Sequence, residues 1–454
     1  MEIHQIGSRQ MKNRKMESRD AKVQSMRLHI WSNRAVYLVL FLALAIRLYA
    51  IWDYKLSLNL HSDDQGYLDS AINLLRYGRY TYYNPNFPTL HMMPGITFLL
   101  AGVLSIFGTG TTGILAAKVV MSIIGTVGLY GVFLIARYVW NPTAGLIAVI
   151  LGAVYLPGIE TDTLLLTESP FMALIAFMLY FTIRVAHERK NYQAVWVAVL
   201  YVAAVFFRPT VALYPVLVVL YLLFKRYPKR LLAKQLGAMA VLVIALMSPW
   251  WIRNYHDFHH FVPLTDGTGN PLLLGTYQGE GYPSQVSMNQ LLAKIEADNP
   301  QVLPPYAHEE AWMNLQKQAA IDRMKQWWET NPGSFIDSYA YLKPIKLWQD
   351  PFYWIRIFKV HRETMRTIQP YLVWSGIVGF FLALLRKPRA ETVLFLLTLL
   401  YYTALYSVYF VFGRYSEPLM PFIFLGVGAG LSTVVAAVTG LVRSFVKLER
   451  KLAH

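Results

Sequence analysis

The stretch "LNLHSDDQGYLDSAINLLRYGRYTY", beginning at Leu58, sets two adjacent carboxylates, Asp63 and Asp64, just after the first long apolar run of the chain. A second acidic cluster, "ETDTLLLTE", supplies Glu160, Asp162 and Glu168 at the end of another such run. Spaced carboxylates suit a general base that takes a proton from a hydroxyl, or a divalent metal site. No His-rich ligand spacing points to zinc. The absence of cysteine excludes disulfides, thiolate zinc sites and cysteine nucleophiles. A divalent metal stays open, and no other cofactor is indicated. The plainer use of Asp63 and Asp64 is to complement the positive end of a helix dipole.

Arginines close three other apolar runs: Arg208 in "FFRPT", Arg253 in "PWWIRNY" and Arg414 in "FGRYSEP". Each alone is explained by a side chain snorkelling to the membrane interface. Facing acidic loops together, they read as a site for an anion at the membrane surface. The planar fork of arginine bonds two phosphate oxygens at once. His91, in "TLHMMPG", reads more readily as an interfacial residue than as a base.

These side chains need elements to hold them. "SDDQGYLDSAINLLRYG" predicts a helix with Ser62 as N-cap, Gln65 completing a capping box and Gly78 as the C′ residue. Leu68, Ile72 and Leu75 share one face, so this helix can lie along the membrane surface. The wider chain is 55% hydrophobic and 15% charged, against about 25% charged in ordinary soluble domains. Apolar runs recur at 35–52, 112–138, 143–158, 166–184, 192–207, 210–224, 235–252, 370–385, 392–412 and 418–441. The expected fold is all-α and polytopic, with about ten spans, or eleven if 94–108 crosses.

Charge gives the expected orientation. The segment 253–369 holds 11 Lys/Arg and 12 Asp/Glu, which leaves 31 basic and 14 acidic residues for the rest of the chain. Those basic residues cluster in short loops ("RVAHERK", "KRYPKR", "RKPR") and at the termini, a positive-inside pattern and no nucleic-acid stripe. Basic tails at 1–34 and 443–454 are expected in the cytoplasm. The first carries no apolar core followed by a cleavage site, so an uncleaved anchor is expected. Ten spans put all the basic loops on one side only if "PGITFLLAGVLSIFG" (94–108) is juxtamembrane or re-entrant. The N-terminal membrane domain, 35–252, then includes an outer loop at 53–111, and the spans of 370–442 follow a second outer segment, 253–369. In that segment Trp312, Leu315, Ala319, Met324 and Trp327 recur at helical spacing, so it reads as a small helical lid.

"SDDQGYLDSAINLLRYGRY…MPGITFLLAG" resembles the first outer loop of the GT-C glycosyltransferases, the superfamily of protein O-mannosyltransferases and the lipid A aminoarabinose transferase. "LLTESPFMALI", "FFRPTVALYP", "PWWIRNYHDFHHFVPLTDGTGNPLLLGTY", "NPGSFIDSYAYLKPIKLW" and "GRYSEPLMPFIFLGVGAGL" follow in the family's order. The resemblance implies transfer of a sugar from a polyprenyl-phosphate donor to a protein, glycan or glycolipid acceptor on the outer face of the cytoplasmic membrane, among membrane lipids. It implies that Asp63 is the principal loop acid, with Asp64 beside it and Glu168 near the active site. "MMPG" stands where the aminoarabinose transferases carry Lys-Pro-Pro, which shifts anion binding to the arginines.

The expected reaction is an inverting transfer. Asp63 acts as base or orienting residue, Arg253, Arg414 and Arg208 take the donor phosphate, and Tyr67, Asp162 and His91 lie on the acceptor or sugar side. The competing class is a transporter or flippase of lipid-linked saccharides, which places ionisable residues near the bilayer midplane.

Overall fold

Every apolar run read from the sequence is helical in the computed structural model, which describes residues 31–280, 286–303, 305 and 307–452. Among the described residues seven helices are long and apolar enough to cross a membrane. They are α1 (Trp31–Ser57), α4 (Thr111–Val139), α7 (Glu168–Glu188), α10 (Lys229–Phe258), α16 (Arg362–Arg386), α17 (Ala390–Val408) and α18, whose apolar part lies in Gly413–Val442. Between α1 and α4 lie the short helices α2 (Asp63–Tyr77) and α3 (Gly95–Phe107).

The run expected as a single span at 143–158 is a bent pair, α5 (Pro142–Val154) and α6 (Leu156–Thr163), meeting at 66°. Tyr155 between them is extended, and Pro157 has no N–H with which to continue the α5 ladder. Counted together, this pair is an eighth span. The two remaining runs form shorter apolar helices, Asn191–Phe207 (α8) and Pro209–Phe224, whose α-helical part is α9 (Tyr214–Phe224). The protein is an integral membrane protein; among the described residues seven helices reach full spanning length, eight with the bent pair, and shorter apolar helices occupy the remaining runs.

The bundle has two chemically distinct ends. At one, Glu391 is the hub for loops distant in sequence: Lys225 and Tyr221 each donate to it at 2.9 Å and His187 lies at 2.8 Å. Arg184 pairs with Glu188 nearby. This basic end gathers the loops that the sequence grouped together. At the opposite end, here called the mouth, lie α2, α3 and the segment 253–369. The α3 helix starts against the Phe206 carbonyl and ends at Gly108, beside the start of α4. Its 13 residues span about 20 Å, short of a bilayer core of about 30 Å. The basic segment 1–34 lies outside the described residues except for its last four. The expected basic tail from 443 is a continuation of α18, whose helix runs to Leu452.

One buried ion pair ties α1 to the bend. Arg47 donates from Nε to Asp162 at 2.7 Å and from its other nitrogens to the carbonyls of Ala43 and Gly152. Ser122 of α4 donates to the Asp162 carbonyl at 3.0 Å. Gly125 sits directly on the Asp162 carboxylate, where a Cβ would overlap it. Gly125→Ala is therefore expected to cost about 1–3 kcal/mol, read as a lowered unfolding midpoint of the detergent-solubilised protein. An unchanged midpoint would show that the pair can shift freely.

The lid is helical, as expected. It comprises α11 (Gly269–Gly275), α12 (Met288–Asp298), α13 (Glu309–Thr330), α14 (Pro332–Ile336) and α15 (Lys343–Gln349). The buried stripe of α13 differs from the apolar one expected. It runs Trp312, Met313, Gln316, Ala320, Arg323 and Trp327, with Leu315, Ala319 and Met324 at its margins. Two polar members are tolerated because Gln316 accepts from Asn270 at 2.9 Å and Arg323 donates to Thr276 at 2.9 Å. Glu160 of α6 fastens the lid's return segment by accepting the backbone N–H groups of Trp354 and Ile355 at 3.0 and 2.9 Å.

Candidate active site

Four side chains from four elements meet at the mouth. Asp63 opens α2, Glu168 opens α7, Arg208 caps the C-terminus of α8, and Arg414 sits in the 3-10 turn Gly413–Tyr415 before α18. Arg414 Nη1 donates to Asp63 Oδ2 at 2.6 Å across 351 residues of sequence. Both Arg414 and Arg208 also donate to Glu168 Oε1, so one carboxylate bridges two guanidiniums. Arg208 is steadied by Thr167 at 3.0 Å and by the Phe171 and Tyr415 rings, each 5.8 Å from its guanidinium carbon. The set carries two negative and two positive charges, nearly all of it removed from water; only the Asp63 side chain, 43% exposed, opens outward.

Asp63 has a second partner that the sequence did not single out. Tyr82 donates to its Oδ1 at 3.1 Å, and the Tyr82 ring stacks on His91 with centroids 4.8 Å apart. Tyr83 bonds the His91 ring, and Tyr67 packs against Tyr82 at 6.0 Å. The signal available in sequence was the run "RYTYY", whose aromatic density gives no register relative to Asp63. Burial, with the charge of Asp63, raises the Tyr82 phenol, which keeps it a donor. Burial pushes His91 down to about 4 against the opposing pull of Asp63, so this imidazole is neutral at neutral pH.

For Asp63 itself, burial alone would raise the pKa, but the charge and hydrogen bond of Arg414, helped by the Tyr82 bond, hold it below the ordinary carboxylate range. A lowered pKa keeps the basic form present at every pH above that range. The acid limb of kcat/KM is therefore expected below the ordinary carboxylate range. In Arg414→Gln it should move upward; a limb unmoved by that change would mean that Asp63 is not the titrating group.

Other candidates are placed elsewhere. Asp64 is turned away from the mouth, accepting the N–H groups of Leu60 at 2.8 Å and Ser62 at 3.1 Å. It closes the turn into α2, and the expected Ser62–Gln65 capping box does not form because Gln65 bonds Asn59 and Asp69 instead. Gly78 does end α2 in the left-handed conformation, at φ 65°. Asp162 lies behind Glu168, on a small buried cavity shared with Ser169, Tyr155 and Glu417, and its charge is taken by Arg47. Arg253 stands at a different lip, bonded to the Thr89 and Tyr80 carbonyls at 2.9 and 3.2 Å and paired with Asp257 at 2.9 Å. The second acidic cluster thus splits: Glu168 joins Asp63, whereas Glu160 accepts backbone N–H groups of the lid and Asp162 pairs with Arg47. Among the described residues no group of three carboxylate or imidazole side chains is arranged to hold a metal ion, and Asp63 and Glu168 are both taken by arginines.

Residues 89–252 match the family described as dolichyl-phosphate-mannose-protein mannosyltransferase. None of the curated proteins compared matches the chain. Among solved structures, the archaeal oligosaccharyltransferase AglB from Archaeoglobus fulgidus, in complex with an inhibitory peptide and a dolichol-phosphate, is similar with a TM-score of 0.53 and 14% identity. The match covers 92% of this chain and 52% of that one. The apo form of the A. fulgidus oligosaccharyltransferase gives a TM-score of 0.54, 12% identity and coverage of 93% and 52%. The chain thus spans about half the length of these proteins. ArnT from Cupriavidus metallidurans bound to undecaprenyl phosphate aligns at a TM-score of 0.39 with 16% identity, over 88% of this chain and 78% of that one. The chain thus carries a match to that mannosyltransferase family within its N-terminal membrane half, and it shares its fold with the oligosaccharyltransferases along most of its length.

Proposed function

We propose that the protein transfers a sugar from a polyprenyl-phosphate-linked donor to an acceptor, at a mouth on the extracytoplasmic face of the cytoplasmic membrane. The observation that carries this reading is the convergence of Asp63, Glu168, Arg208 and Arg414 at one end of an apolar bundle. The orientation follows from the basic loops gathered at the other end. The matched family is named for a dolichyl-phosphate sugar donor, and the AglB structure holds a dolichol-phosphate.

The chemistry follows from the charge balance. At rest each guanidinium is matched by a carboxylate. A donor phosphate, entering with its lipid tail between helices, competes with Asp63 for Arg414 Nη1. Arg414 and Arg208 then stabilise the negative charge growing on the departing phosphate, held in place by Glu168. Asp63, released from Arg414 but still oriented by Tyr82, accepts the proton of the acceptor hydroxyl as that oxygen attacks C1. One displacement breaks the C1–O bond to phosphate, forms the new glycosidic bond and inverts the anomeric centre. Tyr67 and the neutral His91 lie on the sugar and acceptor side, and Arg253 guards the lip beside them.

The test is release of polyprenyl phosphate from a lipid-linked sugar by the detergent-solubilised protein, with no membrane gradient. Transfer under those conditions is the expected result. Movement of lipid-linked saccharide across proteoliposomes, with no cleavage in detergent, would instead establish a flippase.

A further inference from the structure

The lid reaches the mouth through one carboxylate. Glu309, the first residue of α13, accepts the Thr89 hydroxyl with both oxygens, at 3.0 and 2.9 Å. Thr89 in turn accepts the backbone N–H of His91 at 3.0 Å. The His91 ring stacks on Tyr82, and Tyr82 donates to Asp63. A second strand of the lid closes on the same loop: the Asp266 N–H donates to the Leu90 carbonyl at 3.0 Å, and Gly267 lies against the His91 carbonyl with no room for a Cβ. Every step from α13 to the site acid is therefore a hydrogen bond or a ring stack. Glu309 makes no ion pair among the described residues; the nearby Arg253 is paired with Asp257.

We infer that Glu309, acting through Thr89 and His91, is a positioning residue for Asp63: docking of the lid fixes the Tyr82 ring and so aims Asp63 at the acceptor. This rests on the role given to Asp63 above. A lid that is open leaves Tyr82 without its backing, and Asp63 loses one of its two orienting bonds.

Glu309 faces Arg253 from α10, Asp266 from the lid, and Tyr80, Tyr83 and His91 from the loop. Burial pushes it up to about 7, against the Thr89 bond and the Arg253 charge. The sign follows from linkage. A carboxyl raised on docking favours the docked lid most when protonated, at and below the ordinary carboxylate range, and that contribution fades as pH rises through about 7. His91, held down to about 4, stays neutral throughout this window.

The test uses the purified full chain with a polyprenyl-phosphate-linked sugar, following kcat and donor KM from about pH 5 to 9, alongside limited proteolysis of the lid. Thr89→Val and Glu309→Ala are expected to lower kcat about tenfold or more while donor KM moves less than about twofold. Thr89→Ser and Glu309→Gln should retain kcat, the latter because Gln copies the protonated carboxyl. The wild-type decline in kcat through neutrality should be absent in Glu309→Gln. Wild-type kcat in Thr89→Val and Glu309→Ala would overturn the inference, as would joint loss of kcat and donor binding. Proteolysis separates this idea from the transfer reading. Faster lid cleavage in Glu309→Ala supports the latch even where no turnover is detected, whereas unchanged cleavage overturns it.

Discussion

Asp63→Asn is expected to lower sugar transfer by about 10²–10⁴, the range that a positioned general base contributes, while the protein stays folded. Asn preserves the size of the side chain and can still accept from Tyr82, but it cannot take the acceptor's proton. Folding is insulated because Asp63 is the exposed member of its cluster and the remaining charges keep their partners: Glu168 still bridges Arg208 and Arg414. The check is polyprenyl phosphate release by the purified variant, with a thermal melt to confirm the fold. Undiminished turnover would remove Asp63 from the chemistry. Loss of donor binding equal to the loss of rate would reassign it to an orienting role, as expected if the acceptor is itself a phosphate and needs no base.

Glu168→Ala should act on stability first. The Glu168 side chain is 1% exposed and is, among the described residues, the sole carboxylate partner of Arg208, itself 10% exposed. Removing it leaves two guanidiniums side by side with only Asp63 to balance them. Breaking a buried pair by deleting one partner costs about 3–5 kcal/mol, because the abandoned charge stays out of water. A large drop in unfolding midpoint is the expected readout. Adding Arg208→Met should restore much of it, since an apolar pair avoids the stranded charge, but should not restore transfer. A Glu168→Ala protein that melts like wild type would mean that water already reaches Arg208 and that the cluster is not sealed.

The two substitutions probe different layers of what could be read in advance. Helix content and membrane embedding follow from the apolar runs, because a bilayer core obliges each crossing segment to satisfy its own backbone. That 94–108 forms a short helix of its own was legible from its proline start and glycine end. The left-handed end of α2 was legible too, because Gly78 is the residue that adopts that conformation without strain. Each of these depends on local chemistry within a few residues.

The candidate cluster was legible in residue type but not in pairing. Asp63, Glu168, Arg208 and Arg414 were all among the candidates, yet nothing local says that Glu168 takes two arginines while its neighbour Asp162 takes Arg47 from another helix. Asp63 and Asp64 look equivalent in sequence, but a rotation of 100° about a helix axis turns one to the mouth and the other to its own backbone. Tyr82 escaped notice for the same reason. Its value lies in a hydrogen bond fixed by the path of the loop, and that path is set by Thr89, His91 and a glutamate more than two hundred residues away.

By itself, then, the sequence determined an α-helical membrane protein with acids and arginines at span ends and a polar helical lid, because hydrophobicity, charge and capping act over short range. Which acid meets which arginine was decided only by tertiary packing. A buried charge must find its opposite wherever the chain brings one, and burial makes a wrong partner costly.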